Sequence, residues 1–398
     1  MASALSGIKV LDVSGIGPAS FTAMILGDMG ADVLKINMPP GAGDRGVGQG
    51  NTFLDGTLTF DPGTIRNKKN MALNLKTETG QRLFHQLAET ADIVIESFRP
   101  GVMDRLGVGY QAISKINPRI IFCSVSGYGQ DSPYRDLPGH DANYAAMGGA
   151  LGLIGRSVDD PPVLVQTVLA DMTTGVLQAA VGILLAVCAR EKTGRGQLVD
   201  ISSTDGVVFL LNGIPEVAEY LLKGVVPQRG QGLFSGNLPS YAVYQTGDDK
   251  YITIGCLEPH FWQNLCKALG REDLIPHQYG PSPKKEEVLD ELKQIFRTKN
   301  RDEWFELLGK ADVPVGKVLD IDELFSDPNV LHRRMVFDLD HPRYGKMKQI
   351  GQPIKLSDTP WKVQRPAASL GEHTDEVLSS MGYSRDDIDA LRQENVIY

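Results

Sequence analysis

The stretch "PGHDANYAAMGG", residues 138–149, sets a histidine beside an aspartate at the head of a run of small residues. His140 is a side chain whose proton moves near neutral pH, while Asp141 or Asn143 suits the cap of a following helix. Asp171 stands in "LVQTVLADMTTGVLQAAVGILLAVCAR", where an apolar stretch meets the start of a long helix. An aspartate at that boundary suits an N-cap, and its loss would then cost about 1 kcal/mol. The same position puts a carboxyl at the positive end of a helix dipole, where a forming oxyanion is favoured. Glu258 opens "EPHFW" just before Pro259, a helix start in which a glutamate is usually solvated. Arg66, Lys68, Lys69 and Lys76 in "IRNKKNMALNLK", with Arg99 and Arg105 in "ESFRPGVMDRLG", are either surface charge or a site for a phosphate-bearing ligand. No metal-ligand spacing of His, Cys or carboxylates is present, and no GxSxG nucleophile elbow.

The elements that must hold these residues alternate. "IKVLDVS" (8–14) reads as a strand, "SFTAMILGDMG" (20–30) as a helix stopped by glycine, and "ADVLKIN" (31–37) as a second strand. Helix 77–91, strand "DIVIES" (92–97), helix 101–115 and strand "RIIFCSVSG" (119–127) continue the pattern. Nearly continuous apolar strands between helices imply an open, doubly wound parallel sheet, Rossmann-like, with its ligand at the carboxyl ends of the strands. His140 follows the last of these ends. The expected organisation is a large α/β domain over 1–205, a linker over 206–230, a smaller α+β domain over 231–335, and a segment 336–398 that returns to the large domain. In the smaller domain, "NLPSYAVYQTGDDKYITIGCLE" (237–258) reads as a hairpin turning at Gly247–Asp249, followed by helices near 259–270, 284–298 and 301–310. A long loop rich in glycine and proline occupies 38–66.

At 398 residues the chain should hold at least two cores. Its 42% hydrophobic and 22% charged content is that of a soluble globular protein, and a net charge of −9 argues against a nucleic-acid surface. Four single cysteines in apolar surroundings read as reduced, buried thiols. Residues 175–189 are apolar but too few to span a bilayer, so they read as a buried helix. With no secretory signal and no peroxisomal tripeptide, a cytoplasmic location is expected.

"GIGPAS" (15–20) sits where a dinucleotide-binding loop would, but Ser20 replaces the sixth glycine or alanine and Asn37 replaces the ribose-binding acid. A tight turn with Pro18 in the first turn of the helix explains it better.

Taken together, "RPGVMDRLG", "GHDANY", "LADMTTG", "TGRGQLVD" and "CLEPHFW" resemble the family III CoA-transferases (CaiB/BaiF-type), and within them the α-methylacyl-CoA racemases. The resemblance runs over nearly the whole chain. It implies that His140 and Asp171 form an acid/base pair, with Glu258 supporting His140 and Asp141 ordering the loop. It implies a CoA site using Leu73, Asn74, Leu75, Lys76, Ser97, Phe98, Arg99, Arg105, Gly139, Ala142, Asn143 and Tyr144. Where racemases often carry arginine, Met38 stands here, so a contact to the nucleotide end would come from Arg45 or Arg66. The activity implied is interconversion of (2R)- and (2S)-2-methylacyl-CoA through an enolate. The alternative is a CoA-transferase with Asp171 as covalent nucleophile. No metal or redox cofactor is expected, since the CoA thioester is the substrate. The expected partner is a second copy in an interlocked homodimer, with no nucleic acid and no membrane.

Overall fold

The structure is a computed structural model that describes residues 3–15, 17–39, 66–342 and 345–398, together with two short strands, β3 (Phe53–Leu54) and β4 (Thr57–Leu58). The rest of the 38–66 loop, Arg45 included, lies outside the described residues. The chain divides into two compact units, one formed by residues 1–148, 165–208 and 328–398, the other by 149–164 and 209–327. The expected linker over 206–230 is therefore largely part of the second unit, where it contains the helix Pro215–Lys223.

The first unit is built on a six-stranded sheet of β1 (Lys9–Asp12), β2 (Asp32–Asn37), β5 (Lys68–Ala72), β6 (Ile93–Glu96), β7 (Ile121–Ser126) and β8 (Leu198–Ser202). Its order is β5-β2-β1-β6-β7-β8, and every neighbouring pair is parallel. This is the doubly wound arrangement expected. The order reverses between β1 and β6, so the crevice above their carboxyl ends is the natural ligand position. Gly17 takes φ 132 and Pro18 opens the helix Pro18–Asp28, which makes "GIGPAS" the tight turn anticipated. Ser20 is engaged there: the buried Lys68 ammonium donates to its hydroxyl at 2.8 Å and its carbonyl at 2.6 Å. The C-terminal helices Thr374–Ser380 and Arg385–Gln393 place Val377, Leu378, Ile388 and Leu391 in the same core as Leu11, Leu73 and Phe84.

The helix expected to be buried at 175–189 runs from Ala170 to Thr193, and by length and composition alone it is long and apolar enough to cross a membrane. One side packs on Pro18–Asp28, β7 and β8. Leu177, Val181, Leu184 and Leu185 on it are exposed, so the expectation of a buried helix is corrected to a half-covered one. An all-round apolar sequence does not say which flank its own chain will cover. Cys188, on the same helix, is also exposed, whereas Cys123, Cys256 and Cys266 are buried as expected.

The second unit contains a three-stranded antiparallel sheet of β9 (Tyr241–Gln245), β10 (Tyr251–Gly255) and β11 (Val315–Lys317), with β10 in the middle. The helices Pro259–Ala268, Lys284–Phe296 and Arg301–Lys310 cover it around Tyr244, Trp262, Phe296 and Trp304.

Candidate active site

The chain leaves β7, runs through residues 127–139, and enters the helix Asp141–Met147 with His140 at the N-cap position. Asn143 from the first turn accepts the His140 backbone N–H at 3.0 Å through Oδ1. That bond holds the main chain, and the imidazole is exposed. Tyr144, one turn along, donates its hydroxyl to the Gly139 carbonyl at 2.5 Å and stacks edge-on against Tyr128. Its ring fills the space beside Gly127, where a Cβ would lie 2.2 Å from Tyr144 Cε1. Glycine is required at that position by close approach.

Asp171 is not an N-cap. It lies inside the helix, as the second residue of a π-helical stretch, Ala170–Gln178, that continues into Ala179–Thr193. The cap is Asp141 instead: its Oδ1 accepts the Asp171 backbone N–H at 2.9 Å across the site. Asp141 therefore satisfies one of the unpaired amides of a neighbouring helix rather than of its own. Val168, three residues before Asp171, is held at φ 51, a left-handed conformation costly for a β-branched residue. A π-helical turn next to strained backbone is a common setting for a functional carboxyl.

Burial, and then the charge of Asp141, raise the Asp171 carboxyl from 3.8 to about 6, with His140 pulling the other way. Tyr144 is lifted to about 12 by burial and by Asp171, with Arg99 opposing. His140, Asp141, Tyr144 and Asp171 thus form one electrostatic group, and its carboxyl exchanges protons close to neutrality. Replacing Asp141 with alanine should lower stability by about 1 kcal/mol through the lost cap. It should also move the acid limb of the pH–rate profile to lower pH, because the second cause of the Asp171 rise is removed. A melting curve and a pH series read the two effects separately.

Glu258 belongs to the second unit, at the N-cap position of Pro259–Ala268, exposed and without a capping bond from its side chain. The backbone before it is fixed: buried Gln278 donates from Nε2 to the Cys256 and Leu257 carbonyls at 3.0 and 2.8 Å. Pro259 opens the helix as its neighbourhood suggested.

The expected CoA residues collect at the carboxyl ends of β5, β6 and β7. Lys76, Arg99 and Arg105 are exposed there, Ser97, Phe98, Gly139 and Ala142 are half-buried, and Asn143 is exposed. Asn74 is tied down, with Oδ1 accepting the Lys76 N–H and Nδ2 donating to the Asn395 carbonyl. Leu73 and Leu75 are buried, so they shape this segment rather than offer a surface. The basic cluster divides. Arg66 makes a two-pronged contact with buried Asp28, at 3.0 and 2.7 Å, and bonds the Ile350 carbonyl. Lys68 and Lys35 both pair with buried Asp12, at 3.0 and 3.2 Å, and burial brings Lys68 down to about 8 against the pull of Asp12. Lys69 pairs with Glu376 at 3.0 Å. The phosphate role is withdrawn for Arg66 and Lys68: they neutralise the interior carboxylates of Asp28 and Asp12. Arg66 therefore does not replace the arginine missing at Met38.

The profile of CoA-transferase family III matches residues 5–374. The α-methylacyl-CoA racemase of Homo sapiens is 31% identical over 407 residues, covering 99% of this chain and 97% of that protein. The succinyl-CoA–L-malate CoA-transferase beta subunit of Chloroflexus aurantiacus is 34% identical over 406 residues, covering 99% and 98%. A crystal structure of a CAIB/BAIF family protein from Brucella suis superposes with a TM-score of 0.82 at 28% identity, covering 96% of this chain and 100% of that one. Racemase and transferase relatives stand at similar distance, so identity alone does not separate the two chemistries.

Proposed function

The chain belongs to CoA-transferase family III, and within it we propose that this member racemises 2-methylacyl-CoA thioesters by moving one proton at C2. The observation that carries the reading is the presence of a second proton carrier, His140, within the electrostatic reach of Asp171. A covalent transferase needs a carboxylate nucleophile, which Asp171 supplies; an imidazole in the field of that carboxylate is an addition it does not need. Inversion needs two, one for each face of the enolate.

In one direction neutral His140 takes the C2 proton. The C–H electron pair becomes the C1–C2 double bond and the thioester carbonyl pair moves to oxygen. Asp171, protonated, then returns a proton to the other face as the pairs move back. In the other direction the Asp171 carboxylate is the base and the His140 imidazolium the acid. The positive end of the helix Ala170–Thr193 favours the transient oxyanion. Lys76, Arg99 and Arg105 are assigned the recognition of CoA phosphates. The reaction draws on no metal or redox cofactor, only on the thioester itself. The exposed apolar flank of Ala170–Thr193 supports assembly as a homodimer.

The competent pair carries a single proton, on either residue, so both directions start from the same protonation state. The ratio of kcat/KM in the two directions is set by the equilibrium constant. Both profiles should therefore be the same bell, falling on the acid side as the pair takes up a second proton and on the alkaline side as it loses its last. A transferase with Asp171 as nucleophile needs the carboxylate only, so its rate should rise through about pH 6 and then level off. The transferase is the second reading, favoured by the similar identity of relatives of that activity. Optical purity of a single-enantiomer 2-methylacyl-CoA, followed with and without an acceptor carboxylate, tests the choice. Loss of purity without acceptor supports racemisation; turnover only with acceptor replaces it by transfer.

A further inference from the structure

Glu96 ends β6 at the point where the strand order reverses, and it is only 4% exposed. Its Oε2 accepts the backbone N–H of Phe98 at 2.7 Å, closing the chain back on itself two residues later. Ser124, its register partner on β7, hydrogen-bonds the same carboxyl. Among the described residues no cation pairs with it. The charged groups that face it are both acidic, Asp104 from the helix Val102–Arg105 and Asp200 from β8, and the buried Cys123 thiol stands near. A buried carboxylate without a cation is expensive, so its two bonds must do something a neutral side chain does less well.

What they hold is the turn Ser97–Phe98–Arg99. Phe98 packs its ring on the large core, its N–H points to Glu96, and Arg99 is left exposed within electrostatic reach of Tyr144. We propose that Glu96 is a positioning residue for acyl-CoA binding: it fixes the turn that aims Arg99 and touches neither substrate nor the reacting atoms. The proposal rests on the reading that Arg99 contacts CoA. Burial, with Asp104 and Asp200, lifts the Glu96 carboxyl to about 7 while Ser124 and Phe98 restrain it, so both of its forms are populated near neutrality.

The test is the Kd of the full-length protein for free coenzyme A, with kcat for C2 deuterium exchange measured alongside. Glu96→Ala should weaken CoA binding roughly tenfold and leave kcat within twofold. Glu96→Gln, whose amide oxygen still accepts the Phe98 N–H, should restore binding to within about threefold. Ser124→Ala removes the other bond in a milder way and should weaken CoA binding by a smaller factor, which keeps the test decisive if the alanine at 96 fails to fold. Unchanged Kd in both folded variants, or a kcat loss that matches the binding loss, would overturn the proposal. Arg99→Ala separates the two levels. If it leaves Kd unchanged, the CoA reading of this turn is wrong; if it weakens Kd while the Glu96 and Ser124 variants do not, only the role of Glu96 is wrong.

Discussion

With His140 replaced by alanine, interconversion of 2-methylacyl-CoA enantiomers should fall by 10²–10⁴-fold, the usual contribution of a positioned acid/base group. Coenzyme A should bind the variant within twofold of the parent. The local structure supports a clean experiment, because Asn143 ties the residue-140 backbone and the imidazole is exposed. A melting temperature close to that of the parent is therefore expected. Exchange of the C2 hydrogen is the sharper readout, since it detects deprotonation even where inversion is slow. Exchange should be lost for the enantiomer that His140 deprotonates and persist for the one whose base is the Asp171 carboxylate. If the alanine variant exchanged both enantiomers at the parent rate, the imidazole would have no part in the chemistry. Transfer of CoA to an added carboxylate that survives in the variant would assign the site to Asp171 alone.

Replacing Asp171 with asparagine should abolish both racemisation and any CoA transfer, by 10³-fold or more, since it removes the second acid/base in one case and the nucleophile in the other. Its effect on stability is expected to run opposite to that of a lost cap. The Asp171 carboxyl caps nothing: Asp141 performs that role. Its folded pKa is raised from 3.8 to about 6, so ionisation disfavours the folded chain. That cost is absent below pH 4, grows as pH rises, and is complete above about pH 6. The amide variant should then melt at or above the parent temperature at pH 8, by roughly 1 kcal/mol once partial exposure is allowed for, with the difference vanishing near pH 4. A melting series across that range reads it directly. A variant less stable than the parent at pH 8 would mean that the carboxylate makes a bond worth more than its desolvation.

Much of the sheet was legible because parallel strands covered on both faces need unbroken apolar runs, and β1, β2, β6 and β7 have them. β5 was not, since its run begins Lys68–Lys69–Asn70, and only the fold brings Asp12 and Ser20 against Lys68 to make it an interior strand. The same pairing hid which basic residues face the crevice. The residue types at 140 and 171 left structure and chemistry open, and resemblance supplied the roles. That Asp141 reaches across to the Asp171 amide is a tertiary fact with no local signature. Glu96 was hidden inside "DIVIES", read as a strand, because nothing in the six letters says that its neighbours would be Ser124 and two acids. The helix from Ala170 was found by composition, but its covered side depends on what packs against it.

The central claim is that an imidazole and a carboxyl exchange hydrogen with one carbon from its two faces. It is tested most directly by incubating one enantiomer of 2-methylacyl-CoA in deuterium oxide, without any acceptor acid, and measuring C2 deuterium in both enantiomers at early conversion. The expected result is an inverted product that carries one deuterium at C2 while the remaining substrate is mostly unlabelled. No label and no inversion, with the thioester turned over only when an acceptor carboxylate is added, would contradict it.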